Sequence, residues 1–577
     1  MRPLYSPAIF STLSRKQRGA ALMVMLVIMV IGAVTILVSS LNSSTIQIDR
    51  QEKTSVALAQ AKDALISLAV TYNDYPGSLP CPDTDDDGES DAGGTTGCPQ
   101  YIGRLPWKTL GLPDLRDAAG QRLWYTLSRN VRRYTAVRPL NSETAGTLNV
   151  NSLFEPAGSF NVGTNYKITA LGTTDFTLIG AASNTVGTIF TATGVGTGTG
   201  TAAPNNLYAI VLAPGDTLTG QNRSTNQTML CPTTGTTIVA SRCASNYLEG
   251  SNANPSTEAN PVAGVNPNPS YLANLASNTF NDQLIFITKQ QLFSSVEKRI
   301  GRAAKVCLDN YGATHSDKYP WTVPVPDPTI GERSTGRNGL LFGRFATLNP
   351  VLVDDMLTKF ALLQVAIDAF AASNTTANHT AMVNAANQAE ISGDAVYSYY
   401  NSSDPERDPA RTMADAAVDV SNLSITASAA SITAAQLAVT NATNNFNNVL
   451  SSPWLNCTLF KSPYWSDWKN LVFYQIANGF KPGGSGLCTG GGNCLSVQGS
   501  GHSNAGSGNY RAVIIVAGEK LISGTRTTSI IGDYLEADNL LPKDNTTNPY
   551  MTYRSSDEVS PGNNDLALCV DGKVNCP

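Results

Sequence analysis

The stretch Arg15-Lys16-Gln17-Arg18-Gly19-Ala20-Ala21-Leu22, followed by apolar sequence to Leu41, decides how this chain is read. Arg2, Arg15, Lys16 and Arg18 come first, and no charge interrupts residues 20–41. As a helix that run would reach roughly 33 Å, enough for a bilayer core. The charge asymmetry predicts a single-pass membrane helix with its N-terminus in the cytoplasm and everything after about residue 42 exported. A cleaved secretory signal usually has a shorter apolar core and a small-residue cleavage site after it. Here the run passes into polar helix-like sequence, Asn42 to Tyr72, with no Pro or Gly at the junction. A plain signal anchor is the alternative.

Gly19 separates these readings. A basic stretch ending in Gly before the apolar run resembles the cleavage site of type IV prepilins and type II secretion pseudopilins. The resemblance covers about the first 60 residues. It implies a leader over residues 1–19, cleavage after Gly19 by the prepilin peptidase, N-methylation of Ala20, and a transmembrane helix over 20–41. Major pilins usually carry Glu at the fifth mature residue, where this chain has Val24. The variant without Glu resembles minor pilins and the largest, tip-located pseudopilin. A carboxylate inside a membrane is costly and usually functional, so its absence removes a function as well as a cost. The resemblance therefore implies a non-enzymatic subunit that primes or caps a type IV pilus or type II secretion pseudopilus. Its implied partners are other pilins through the N-terminal helix, the prepilin peptidase and the inner membrane. The implied location is inner membrane, with periplasmic or cell-surface domains.

Composition fits an exported multidomain protein. With 577 residues the chain exceeds one ordinary domain. Charged residues make up 14 %, against a typical ~25 %. The net charge of −5 offers no basic field for nucleic acid. Ten cysteines, all after residue 80, suit an oxidising compartment. Their spacing suggests local pairs Cys81 with Cys98, Cys231 with Cys243, Cys488 with Cys494 and Cys569 with Cys576, leaving Cys307 with Cys457; sequence alone does not prove connectivity. No histidine among His315, His379 and His502 sits at zinc-ligand spacing from a cysteine pair.

The strongest chemical motif is Asp83-Thr84-Asp85-Asp86-Asp87-Gly88-Glu89-Ser90-Asp91. Asp83, Asp85 and Asp87 stand at loop positions 1, 3 and 5, Gly88 at 6, Glu89 at 7 through its carbonyl, and Asp91 at 9. Alternate carboxylates turn toward one hard cation, and Gly permits the sharp turn. These residues are expected to hold a structural calcium ion. Position 12 is Gly94 rather than Glu, so the loop departs from an EF-hand. The alternative is a solvated acidic loop.

Blocks recur in one order along the chain. The helix ending at Tyr75-Pro76 pairs with that ending at Tyr319-Pro320, and Leu79-Pro-Cys-Pro-Asp83 with Val323-Pro-Val-Pro-Asp327. Leu123 to Leu127 pairs with Leu471 to Ile476, and Tyr208 to Leu218 with Arg511 to Leu521. Tyr247-Leu-Glu followed by Asn281-Asp pairs with Tyr534-Leu-Glu followed by Asn564-Asp. Such repeats set the domain count. The expected fold is α+β: a membrane helix continuing into a pilin-like helix-plus-antiparallel-sheet domain over 42–292, with a calcium loop 81–98 and a Gly/Thr-rich insertion 140–204. A second pilin-like domain follows over 293–577, with a helical insertion at about 350–450. Val353, Met356, Phe360, Leu363, Ile367 and Phe370 recur at helical spacing there, and Tyr397 to Pro409 breaks the pattern, which predicts a helical hairpin. The 140–204 insertion is expected to be β-rich or loose loop.

Catalytic motifs are weak. Gly501-His502-Ser503-Asn504-Ala505-Gly506 lacks GxSxG spacing, and the Gly-rich run Gly483 to Gly492 lacks the Lys-Ser/Thr ending of a phosphate loop. No catalytic residue is assigned. The functional alternative to a pilin subunit is a membrane-anchored extracytoplasmic adhesin or binding module.

Overall fold

A computed structural model of the chain describes residues 18–91, 97–132, 139–232, 234–253, 270–323, 325, 340–345, 349–400, 406–449, 457–487, 494–498, 510–520, 526–527, 530–540, 551–554 and 563–570; in the first helix it describes the side chains of 23–31 and from 47 onward. That helix, α1 (Arg18–Thr71), is continuous. Its second half is amphipathic: Ala57, Leu58, Ala61, Leu65 and Ala69 are buried at helical spacing.

The membrane span expected over 20–41 is corrected. Among the described residues no helix is long and apolar enough to cross a membrane. The apolar side chains described at its start, residues 23–31, cover only about 14 Å of helix, half of a ~30 Å bilayer core. The side chains of 32–41 lie outside the described residues. A single-pass inner-membrane location with a cytoplasmic N-terminus is therefore not supported. The expected architecture built on that helix gives way to a mixed helix-and-sheet protein with several small, separate sheets.

Two four-stranded antiparallel sheets form the centre. The first runs β1 (Ile102–Arg104), β2 (Trp124–Leu127), β3 (Ala209–Ala213), β4 (Gln283–Ile287). A second helix, α2 (Lys289–Thr314), follows directly, started by a capping box between Thr288 and Gln291. The second sheet runs β5 (Phe342–Arg344), β6 (Val472–Ile476), β7 (Ala512–Val516), β8 (Leu566–Val570). The registers correspond: one row is Gly103, Tyr125, Val211, Ile285, and its counterpart is Gly343, Tyr474, Ile514, Leu568. The central strands are buried on both faces, which explains why they read as unbroken apolar runs rather than alternating ones. Both helices and both sheets join one core, in which Phe293 of α2 packs edge-on against Tyr208 and tilts against Trp468.

One block pairing shifts. Tyr125 donates its hydroxyl to the Pro80 carbonyl at 3.1 Å, and Tyr474 donates to that of Pro320 at 2.9 Å. Asp83 bridges Arg104 as Val323 bridges Arg344. Leu79-Pro80 thus corresponds to Tyr319-Pro320, and position 83 to Val323, so the acidic loop belongs to the first half alone. A short parallel pair flanks each sheet: Asn149–Val150 with Ser270–Tyr271, and Leu495–Gln498 with Met551–Arg554.

Both insertions have regular structure among the described residues. Within 140–204, strands Glu155–Pro156, Thr201–Pro204, Asn165–Ala170 and Ile189–Thr191 form an antiparallel sheet. Phe160, Tyr166, Phe176 and Phe190 fill its core, ring to ring. The 350–450 segment is four helices rather than one hairpin: α3 (Asn349–Ala372), α4 (Thr376–Tyr399), α5 (Arg407–Ser421) and α6 (Ala429–Val449). Thr375 caps α4, accepting from the Asn378 amide, and so adds a break that apolar spacing does not show.

Candidate functional site

The acidic loop is anchored before any side chain of it acts. Cys81 is bonded to Cys98. The Asp83 amide donates to the Arg104 carbonyl at 3.0 Å and the Arg104 amide returns a bond at 2.7 Å, which fixes the first loop position to β1. The Asp83 side chain is buried and folds back into the loop. Its Oδ1 accepts from the Asp86 amide at 2.6 Å and its Oδ2 from the Gly88 amide at 2.7 Å. Asp86 and Gly88 have φ of 69° and 88°. A Cβ at Gly88 would lie 2.6 Å from Trp107 Nε1, so only glycine fits that left-handed position. At the other end, the Thr84 amide and hydroxyl both donate to Asp91 Oδ2, at 2.6 and 2.5 Å.

Three of the four expected carboxylate ligands come together. Asp83, Asp85 and Asp91 each offer a carboxylate oxygen within 4.8 Å of the others. The Asp87 carboxylate falls outside that group and is exposed; its Oδ1 accepts from the Glu89 amide at 2.7 Å. Asp86, given no role by the spacing, receives Arg122 Nη1 at 2.8 Å and lies 3.9 Å from Arg104 Nε. Burial raises the Asp83 pKa, against the lowering effect of the two amides it accepts from. Three carboxylates on a rigid loop fit a hard oxygen-seeking cation such as calcium, with carbonyls and water completing its shell.

A second constellation appears twice; its Tyr-Leu-Glu and Asn-Asp blocks served the sequence reading only as repeat markers, and its arginines had no role there. In the first half the Arg104 guanidinium lies 3.9 Å from the Tyr247 ring centroid and that of Arg223 4.6 Å from it. In the second half Arg344 and Arg526 lie 5.1 and 4.9 Å from Tyr534. Cation–π attraction holds each tyrosine in place. Beside each sits a carboxyl pair. The Glu249 amide donates to Asp282 Oδ2 at 2.9 Å, while the Asn281 and Asp282 amides donate to Glu249 Oε2 at 3.0 and 3.2 Å. Asn252 Nδ2 adds a bond to Asp282 at 3.0 Å. Counterparts recur where the Glu536 amide and Asn539 Nδ2 donate to Asp565 Oδ2, at 3.2 and 3.1 Å. Burial, then the partner's charge, raises the pKa of Asp282 and of Glu536; burial raises that of Asp565. Burial and the neighbouring carboxyl thus favour the protonated form of Asp282 and of Glu536. Each pair ties a Tyr-Leu-Glu turn to the start of the last strand. The signal available in the sequence was that these charged residues recur in the same order in both halves.

Two features that, among the described residues, only the first half has lie together. A ribbon, Thr228–Cys231 with Thr236–Val239, is closed by the Cys231–Cys243 bond. Between it and the acidic loop is a cleft of about 300 Å³ lined by Asp83, Asp86, Gln100, Arg104, Thr237 and Arg242 among others.

Of the remaining cysteines, Cys307 is bonded to Cys457. Cys494 and Cys569 are also disulfide-bonded, while Cys488 and Cys576 lie outside the described residues. The side chains of Gly19 and Ala20, and the whole 501–506 segment, lie outside them too. No family model, no curated protein and no solved structure matches this chain.

Proposed function

We propose that this chain is a minor pilin or pseudopilin: a non-catalytic structural subunit that primes or caps a type IV pilus or type II secretion pseudopilus. Residues 23–30 of α1 are the observation that supports it most. All eight are apolar and 52–74 % exposed, all round the helix. A helix apolar on every side is stable only when covered. Helices of neighbouring subunits supply that cover, while the same helix continues into the head through Ala61, Leu65 and Ala69. A head of this size stacks with difficulty at every filament repeat, which favours an end position. Asp83, Asp85 and Asp91 hold calcium, which stiffens loop 81–98 and has no part in catalysis.

Mass analysis of the mature N-terminus, with and without the prepilin peptidase, tests the reading. A chain starting at methylated Ala20 only when the peptidase is present supports it. An N-terminus unchanged by loss of the peptidase overturns it. The cleft between the acidic loop and the disulfide-closed ribbon favours a second reading, a binding module or adhesin. Deletion that leaves filaments intact but abolishes attachment would select that reading.

A further inference from the structure

The strands β4 and β8 occupy the same place, the last strand at the edge of corresponding sheets. Their surroundings differ. Every residue of β8 is buried, and the parallel pair Leu495–Gln498 and Met551–Arg554 packs against it. In β4 Gln283 is exposed, Leu284, Ile285 and Phe286 are half-buried, and Ile287 alone is buried. Beside β4 runs a groove of about 390 Å³, walled by Lys62 of α1 and by Asn161 and Thr164 of the inserted segment. Lys62 is half-buried, and among the described residues it has no ion-pair partner. Burial lowers its pKa; the nearby Asp63 charge raises it less.

An edge strand presents main-chain N–H and C=O groups with no neighbour to take them. Main-chain hydrogen bonds to an added strand give affinity, and side-chain pockets give selectivity. A half-buried ammonium is stabilised by a carboxylate brought within a few ångströms. We propose that β4 is a docking edge, where an extended segment of a partner polypeptide adds as a fifth strand and sets an acidic side chain against Lys62. The inference does not rest on the filament reading. The corresponding edge in the second half is already covered, so one molecule takes one such segment.

The test uses the full chain and two labelled hexapeptides of alternating valine and threonine, one carrying a central glutamate and the other a central lysine. The glutamate peptide is expected to bind at least tenfold tighter than the lysine peptide, and to slow hydrogen exchange at residues 283–287. Lys62→Glu is expected to reverse the order of the two peptides. Lys62→Gln, which keeps the packing of the stem, is expected to remove the preference while leaving the melting temperature unchanged. Absence of binding by both peptides at millimolar concentration, equal binding of both to the unsubstituted chain, or protection away from 283–287 would each overturn the proposal.

Discussion

At the residue scale, the junction between the two halves turns on a few polar groups. Glu297 of α2 is half-buried and accepts the Ser142 hydroxyl at 2.6 Å. Burial pushes its pKa up to about 8, against the lowering pull of Ser142 and Lys289. An acid raised in the folded state takes up a proton on folding. Its penalty is absent below the unfolded value of about 4.5 and grows as pH rises toward about 8. The raised Asp282 and Glu536 act in the same direction. The melting temperature is therefore expected to fall as pH rises across that interval, and less steeply in Glu297→Gln. A slope left unchanged by the substitution would show that Glu297 is ionised in the folded protein. Glycine matters at a different point. A Cβ at Gly343 would lie 2.0 Å from the Val323 carbonyl, and one at Gly103 2.5 Å from that of Asp83. Gly103→Ala is expected to cost roughly 1–3 kcal/mol in denaturant titration, because strand and loop must part. It should also weaken calcium binding, measured by calorimetry. Unchanged stability would mean that the Asp83 segment moves aside freely.

At the element scale, the four-helix insertion is held by small residues. Ala386, Ala389 and Gly393 of α4 are buried, as are Ala410, Ala414 and Ala417 of α5. A Cβ on Gly393 would lie 2.9 Å from that of Ala414. Such close approach leaves no room for a branched side chain, so Gly393→Val is expected to destabilise by roughly 1–3 kcal/mol, read as a lower denaturation midpoint. Loss confined to helical circular dichroism, with the sheets intact, would show that the bundle unfolds separately. Helical spacing from Val353 to Phe370 was legible because one side of a helix meets a core. The number of helices was not, since apolar spacing shows which residues face inward and says little of where a Thr375 cap ends a turn.

At the scale of the whole molecule, the two halves are fastened along α2. Lys289 pairs with Glu519 at 2.8 Å and Arg526 with Glu143 at 2.9 Å, while Asn141 Nδ2 donates to the Asp467 carbonyl at 2.6 Å. The Cys307–Cys457 bond closes a loop of 150 residues that contains the helical insertion. Replacing both cysteines by alanine is expected to cost on the order of 5 kcal/mol, more than for Cys81 with Cys98 or Cys231 with Cys243, because the longest loop is released. Equal losses for this pair and for Cys231 with Cys243 would show that strain or residual structure outweighs loop length.

Local chemistry determined what the sequence could tell. Apolar runs bounded by turn residues marked the strands, alternate aspartates around Gly88 marked an acidic loop, and recurring blocks marked two related halves. Each is a pattern within a few neighbouring residues, where spacing dictates geometry. Only the tertiary structure decided the rest. It brought three of the four candidate carboxylates together, Asp83, Asp85 and Asp91, because loop hydrogen bonds, which spacing does not encode, turn Asp87 outward. It drew the two halves into a single core, replaced the expected membrane span with a helix whose described apolar side chains are too few to cross a bilayer, and paired Glu249 with Asp282 and Glu536 with Asp565. Those carboxyls are more than twenty residues apart in the chain, and they meet only because folding buries both in one place.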